Sequence, residues 1–348
     1  MDQAGGLSVR PVVAGDGPLP RGTDTLLICA GFFGYAAKIR QELERRGRQV
    51  AYFEELPATD SGSKALIRIA PKLLRARADA YFAEIVAKLA DCRIRDVLVI
   101  KGEALSPEAI RNMRAAFPGA RFTLYLWDSF RNMPRNTRKK AALFDRVLTF
   151  DPDDARADPG MIYRPLFFTE EFTELPTARQ DIDVLFFGTV HGDRHAVLNR
   201  IARALPPQLR FEKVLYFQAR WLRFARIVED PSLLWADGRQ FIFSPKSKEE
   251  IAALIGRSRI VVDIERPVQS GYTIRTAEIL GAGRKLITTN PEVAKADFFN
   301  PANIAVIDRK APRISDVFLN APYEPPPPQI LQRYSLHGWL DEVLPDAS

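Results

Sequence analysis

The chain has 348 residues, a formal net charge of +7, a pI near 9.4 and only two cysteines. That length exceeds what one hydrophobic core usually serves, so two domains of roughly 150 residues are expected, and the basic excess favours anionic partners such as sugar nucleotides, phospholipid headgroups or nucleic acid. Cys29 and Cys92 lack metal-ligand spacing and argue against a disulfide scaffold, which favours a reduced cytoplasmic setting; no 18-residue apolar run occurs, so any membrane contact would be peripheral.

Residues 1–24 are rich in Gly, Pro and Asp and read as a flexible lead without a signal-peptide core. Thr25-Leu-Leu-Ile-Cys-Ala30 then reads as a buried strand, Gly31-Phe-Phe-Gly34 as a turn and 36–46 as a helix. Further strands are expected at 49–54, 96–101, 121–127 and 146–150, with a long Ala/Arg/Lys-rich helix over about 67–90. Tyr163 to Phe168 has no helical period, and the polar stretch that follows makes 169–181 the expected linker between domains at 25–168 and 182–322. A second series of strands is expected at 183–187, 210–217, 240–243, 259–264, 285–289 and 303–307. Short apolar strands alternating with helices imply parallel sheets covered on both faces, hence two doubly wound α/β domains facing a cleft. Residues 323–348 read as a proline strap and a single terminal helix over 330–344 that packs back on the domains through Leu331, Tyr334, Leu336, Trp339, Leu340 and Val343.

Open α/β sheets bind ligands beyond the C-terminal ends of their strands. In the second domain this points to Gly188, Thr189 and His191 after its first strand, Lys246 after its third, Ser270 to Thr273 after its fourth and Asn290 after its fifth. Residues 262–290 are the most informative: strand, glycine loop, helix, glycine turn and strand, with Thr273, Arg275 and Glu278 at the opening of the helix. A helix N-terminus offers free N–H groups to a diphosphate, Gly271 allows close approach, and Tyr272 lies in the same loop. Arg275 and Lys246 can neutralise phosphate charge, and the Glu278 carboxylate can accept from two vicinal ribose hydroxyls. Arg275 and Glu278 are three apart and share one face, with Ile274, Ala277 and Leu280 turned to the core; the plainer alternative is a surface ion pair between the two.

Gly31-Phe-Phe-Gly34 lacks the spacing of a dinucleotide fingerprint, and only Glu54 or Glu55 follows the second strand, which argues against a redox enzyme. In the first domain Glu103 follows the third strand and Asp128 the fourth; either can deprotonate or orient an acceptor hydroxyl, while capping or a local salt bridge accounts for each equally well, and His191 is another candidate base whose glycine neighbours suit a phosphate or sugar contact equally. His195 is expected to face solvent. Asp151 and Asp153 have D-x-D spacing after a strand, which suits either a divalent metal or an ordinary turn at Pro152. The run Arg131, Arg135, Arg138, Lys139 and Lys140 suits a solvated face, a charged acceptor or an anionic membrane surface; no nucleic-acid motif is present.

Leu126-Trp-Asp-Ser129, Thr149-Phe-Asp151, Tyr163-Arg-Pro165, Asp183 to Gly188 and above all Arg275 to Asn290 resemble segments of GT-B glycosyltransferases, more narrowly the bacterial glycosyltransferase-like proteins of capsule, lipopolysaccharide and spore-maturation gene sets. The resemblance implies a C-terminal domain that binds the nucleotide-sugar donor, with Glu278 as its acidic residue and Ser270 to Thr273 as phosphate-contacting backbone, and an N-terminal domain for a glycan or lipid-linked glycan acceptor. It implies no tightly bound cofactor and lowers the expectation of metal at Asp151 and Asp153. The position where retaining members often carry a second acid is Ser270 here, which leaves the stereochemical outcome open. The expected reaction moves a sugar to a hydroxyl of a growing surface glycan at the cytoplasmic side of the membrane; the alternatives are a noncatalytic nucleotide-sugar or glycan-binding protein and a sugar-nucleotide epimerase or hydrolase.

Overall fold

The computed structural model describes residues 22–31, 34–55, 71–133, 137–175, 179–266 and 270–346, and only the backbone of 71–74, 223 and 225. Contacts group residues up to 150, 154–163 and those from 343 onward into one compact unit, and 151–153 with 164–342 into another.

The first unit carries β1 (Thr25–Cys29), α1 (Tyr35–Arg45), β2 (Val50–Phe53), α2 (Pro71–Lys88), β3 (Asp96–Ile100), α3 (Pro107–Ala116), β4 (Arg121–Leu126), α4 (Thr137–Ala141), β5 (Arg146–Thr149), most of α5 (Pro152–Ala157) and β6 (Met161–Tyr163). Its sheet runs β2-β1-β3-β4-β5-β6, with every pairing parallel. Every residue of β1, β2 and β3 is buried, the pattern of strands covered on both faces. Strand β6 extends the sheet beyond the strands expected from the sequence. At three residues, with Ile162 exposed, it is too short to show a period, and only its pairing with β5 reveals it.

The second unit carries β7 (Ile182–Thr189), α6 (Arg194–Ala204), β8 (Phe211–Tyr216), α7 (Arg220–Arg226), β9 (Phe241–Ile242), α8 (Lys248–Gly256), β10 (Ser258–Asp263), α9 (Ile274–Gly281), β11 (Lys285–Thr288), β12 (Ile304–Val306), α10 (Asp316–Asn320), α11 (Pro328–Tyr334) and α12 (Leu336–Val343), the last ending in the first unit. The order is β12-β11-β10-β7-β8-β9, again parallel throughout. Alternation along the strands separates two cores. Val184, Phe186, Ile260 and Val262 pack with Val197 and Ile201 of α6, while Leu185, Phe187 and Val261 pack with Ile255 of α8 and Ile279 of α9.

The single terminal helix expected over 330–344 is instead two helices that meet at Ser335, whose backbone is extended. The break has a partner: Phe168 N donates to Tyr334 O, and Leu336 N donates to Phe168 O. Backbone groups that would continue the helix are engaged by a distant segment, which residue periodicity does not encode. Tyr334, Trp339, Leu340 and Val343 are all buried, so the apolar face itself is used as its pattern suggests.

Candidate functional site

In the second unit β10 ends at Asp263, which is 6% exposed, and this carboxylate organises the start of α9. Thr273 is the N-cap, accepting from Thr276 N at 3.4 Å. Its hydroxyl donates to Asp263 Oδ2 at 2.6 Å, and the Thr276 hydroxyl donates to the same oxygen at 2.8 Å. The preceding loop is tied down from two more directions. Asn290, just after β11, donates from Nδ2 to the carbonyls of Ser270 (3.1 Å) and Gly271 (3.2 Å). Ser270 donates from Oγ to Asp151 Oδ1 at 2.5 Å. Residues 267–269, inside the stretch singled out from the sequence, lie outside the described residues. The outcome is a braced loop leading into a helix N-terminus at the C-terminal edge of a parallel sheet, an arrangement suited to an anion.

Behind this loop the Arg275 guanidinium lies 3.4 Å from the centroid of the Phe187 ring and pairs with the Glu278 carboxylate. Glu278 is 2% exposed, so the pair is buried rather than a surface pair. The expected core face of α9 also needs correction. Thr276, Ala277, Glu278, Ile279 and Leu280 are all buried, whereas Ile274 is half-buried, because α9 packs against α11 as well as against β10 and β11. Tyr272 is buried too; its ring stands edge-on to Phe298 and its hydroxyl donates to Glu292 O, so its side chain serves the core rather than the loop surface.

The loop after β7 contains Gly188 (φ 158°), Thr189, His191 and Gly192 (φ 56°), the latter in a left-handed conformation that favours glycine. Arg194 fastens it to β10 by donating to Thr189 O at 2.7 Å and to Ile264 O. Arg309 bridges Asp193 and Glu265, each at 2.9 Å, and Glu265 also accepts from the Thr289 hydroxyl. Burial, with Arg194, Arg266 and Arg226 nearby, holds the His191 imidazole down to about 4, so it is neutral at physiological pH and a weak base. Lys246 pairs with Glu250 at 3.0 Å, within the first turn of α8, where Ser247 and Glu250 form a capping box. Asp263, Arg194 and Arg309 were not singled out from the sequence. Asp263 could have been, ten and thirteen positions before the two threonines it binds; Arg309 carries no local signal.

At the corresponding edge of the first unit, β3 is followed by two successive left-handed residues, Lys101 (φ 78°) and Gly102 (φ 70°). Lys101 is the one non-glycine residue with positive φ among the described residues. Its ammonium sits 3.4 Å from both Glu103 and Asp128, which brings these two candidates into one cluster. Burial opposes the Lys101 charge, but Glu103, Asp128 and Glu55 outweigh it and hold its pKa above the ordinary value. Lys140 departs from the expected basic surface. It is 2% exposed and donates to the carbonyls of Gly102 and Glu103, so it braces this turn while Arg131, Arg138 and Lys139 remain exposed. Arg135 lies outside the described residues, as do Phe32 and Phe33 of the first turn. His195 likewise is buried, with Nδ1 2.6 Å from the Ser232 hydroxyl, because α6 packs against the turn Pro231–Trp235.

Asp151 accepts from Asp153 N at 2.9 Å as well as from Ser270, a turn-like arrangement that occupies the first carboxylate of the D-x-D. Among the described residues no group of three or more His, Cys, Asp and Glu side chains is placed to hold a metal ion.

Glu55, 2% exposed after β2, accepts from Ala104 N at 2.8 Å. Burial, against the Ala104 hydrogen bond and with Glu103 adding to it, pushes its carboxyl up to about 7. A carboxyl raised in the folded state stabilises most below its unfolded pKa near 4.5, and this contribution is lost as pH rises through about 7. Glu55→Gln should therefore flatten the decline, gaining on the order of 3 kcal/mol over wild type at pH 8 relative to pH 4, by urea denaturation at the two pH values. Parallel pH dependence in both proteins would show that Glu55 ionises normally.

No protein-family model matches this chain, and no curated protein matches it in sequence. Its fold is similar to HepE from Anabaena in complex with UDP and glucose, at 14% identity and a TM-score of 0.55, over 93% of this chain and 100% of that one. It is similar also to a glycosyltransferase from Rickettsia africae, at 12% identity and a TM-score of 0.56 over the same shares. A third similar structure is UDP-GlcNAc 2-epimerase from Neisseria meningitidis bound to UDP-GlcNAc, at 10% identity and a TM-score of 0.52, covering 92% of this chain and 98% of that one. With its two parallel six-stranded sheets, the chain has the two-domain α/β GT-B fold.

Proposed function

We propose that this protein is a glycosyltransferase that moves a sugar from a nucleotide-activated donor to a hydroxyl of a bacterial surface glycan. The observation that carries the reading is the loop 270–273, held by Asp151, Asn290 and Asp263 at the N-terminus of α9 with the Arg275–Glu278 pair behind it. In this reading the backbone of Ser270 to Thr273 receives the diphosphate, Gly188 and Thr189 line its approach, and Arg275 and Lys246 take up its charge. Glu278 exchanges part of its bond to Arg275 for the ribose hydroxyls. The choice of a surface glycan, lipid-linked or free, rests on the sequence resemblance to capsule and lipopolysaccharide proteins, and the cytoplasmic setting rests on the sparse cysteine usage.

Asp128 is assigned as the base for an inverting reaction, with Glu103 beside it as substitute. The acceptor oxygen forms a bond to the anomeric carbon, the bond from that carbon to the diphosphate breaks, and the acceptor proton passes to the carboxylate. Negative charge grows on the departing diphosphate, where helix N–H groups and basic side chains stabilise it. His191, neutral and weakly basic, suits a hydrogen bond to the donor better than proton abstraction.

The test is a thermal-shift screen of nucleoside diphosphates and monophosphates with and without Mg²⁺ or Mn²⁺, followed by transfer assays with the selected donor and an acceptor panel. Donor binding with transfer supports the reading. Product formed without acceptor would indicate epimerase or hydrolase chemistry instead, an arm made necessary by the epimerase that shares this fold. Binding without turnover across the panel would indicate a noncatalytic binding protein.

A further inference from the structure

The surface around α7 is unlike the rest of the described surface. Trp221, Phe224, Val228, Leu234 and Trp235 are 66%, 69%, 87%, 57% and 89% exposed. Among the described residues, the only other exposed large apolar side chains are Ile162, at 39%, and Val317. Trp221 and Phe224 stand three apart on α7, the spacing of one helix face, and Val228 follows in the turn just after the helix. Leu234 and Trp235 belong to the 3-10 turn Pro231–Trp235, which packs beside α7. Soluble surfaces scatter such residues singly, and a cluster containing two of the chain's four tryptophans marks a contact surface.

The charge around this cluster indicates its partner. The helix sequence Arg-Trp-Leu-Arg-Phe-Ala-Arg holds three arginines and no acidic residue. Arg220 stacks 4.9 Å from the Phe243 ring centroid, and Arg226 pairs with Glu229 at 2.6 Å. We infer that α7 and the Pro231–Trp235 turn form an interfacial anchor that seats on the anionic surface of a lipid bilayer. Tryptophan and phenylalanine settle at the boundary of headgroup and acyl chain, while arginine reaches lipid phosphate. A second copy of the chain is disfavoured, because an isologous contact would bring the arginines of both helices together. Single-stranded nucleic acid would use the rings but gain little from Val228 and Leu234, which have no π-face for stacking. No described helix is long and apolar enough to cross a membrane, so the contact is peripheral.

The seat adjoins the candidate site. Glu229, directly after this face, lies within electrostatic reach of Gly192 and His191 in the loop after β7. The anchor does not depend on the transferase reading, since its chemistry is that of the surface alone.

The full chain is to be sedimented with vesicles of phosphatidylcholine alone and of phosphatidylcholine with phosphatidylglycerol, while tryptophan emission is recorded. Trp339 is fully buried and Trp127 half-buried, so a blue shift on binding would come chiefly from Trp221 and Trp235. The expected result is binding to the anionic vesicles stronger by at least roughly tenfold, weakened by added salt. The triple variant Trp221→Ser, Phe224→Ser, Trp235→Ser should lose the binding with an unchanged melting temperature, these side chains being exposed. Arg220→Glu should weaken the preference for anionic lipid. Wild type that fails to sediment, or a triple variant that binds as well as wild type, overturns the anchor. Self-association by light scattering that the triple variant abolishes, without vesicle binding, would assign the face to a dimer instead. Binding to single-stranded nucleic acid in place of vesicles would likewise overturn it.

Discussion

Glu278→Ala is expected to abolish stabilisation by nucleoside diphosphates and to destabilise the fold by about 3 kcal/mol. The reason for the second effect lies in the pair itself. Glu278 is 2% exposed and receives the guanidinium of Arg275, which is stacked on Phe187, so removing the carboxylate leaves a cation without its counter-charge in a largely buried place. Arg275 retains 18% side-chain exposure, which allows partial escape and keeps the cost near the lower end for a broken buried pair. Destabilisation alone would not establish the assigned role, so Glu278→Gln is the decisive partner: its amide oxygen preserves a bond to Arg275 while withdrawing the charge. Both variants should lose the thermal shift produced by the preferred nucleoside diphosphate and should lose transfer. A Glu278→Gln protein with wild-type shift and rate would remove Glu278 from the donor site.

Asp128→Asn is expected to lower the transfer rate by roughly 10²–10⁴ while leaving the donor-induced thermal shift unchanged. The split follows from placement: Asp128 belongs to the first unit, whereas the braced loop and the Arg275–Glu278 pair belong to the second. The amide preserves shape but cannot take a proton. Lys101, 3.4 Å from both Asp128 and Glu103, would then keep Glu103 as its ion-pair partner, with Glu55 still acting on it. Glu103→Gln separates the two carboxylates, and a smaller loss there than in Asp128→Asn is expected. An unchanged rate in Asp128→Asn, with donor binding intact, would exclude Asp128 as the base and favour chemistry that needs no proton acceptor there.

The loop after β10 shows how sequence and structure divide the information. Its glycine, its capping threonine and the helix that follows are visible locally, because a strand pattern gives way to a glycine turn and then to a helical period. That Asp151 should reach Ser270 from more than a hundred residues away, or that Asn290 should hold the carbonyls of Ser270 and Gly271, is visible nowhere in the pattern. The same holds for Lys140 and His195. Each stands in a polar stretch that reads as solvated, yet each is buried because a distant turn supplies its partner: the carbonyls of Gly102 and Glu103 for one, Ser232 for the other.

Read alone, the sequence determined the two series of parallel strands and helices and the strand ends at which chemistry belongs. Those features depend on residue periodicity and on the local conformational preferences of glycine and capping residues. Only the tertiary structure decided that the terminal helix breaks at Ser335, that Tyr272 turns inward, that Arg275 and Glu278 are buried together, and that the aromatic residues of α7 stay uncovered. These depend on which distant segment arrives to satisfy a backbone group, cover a ring or neutralise a charge. A side chain's own neighbours in sequence carry no record of that arrival.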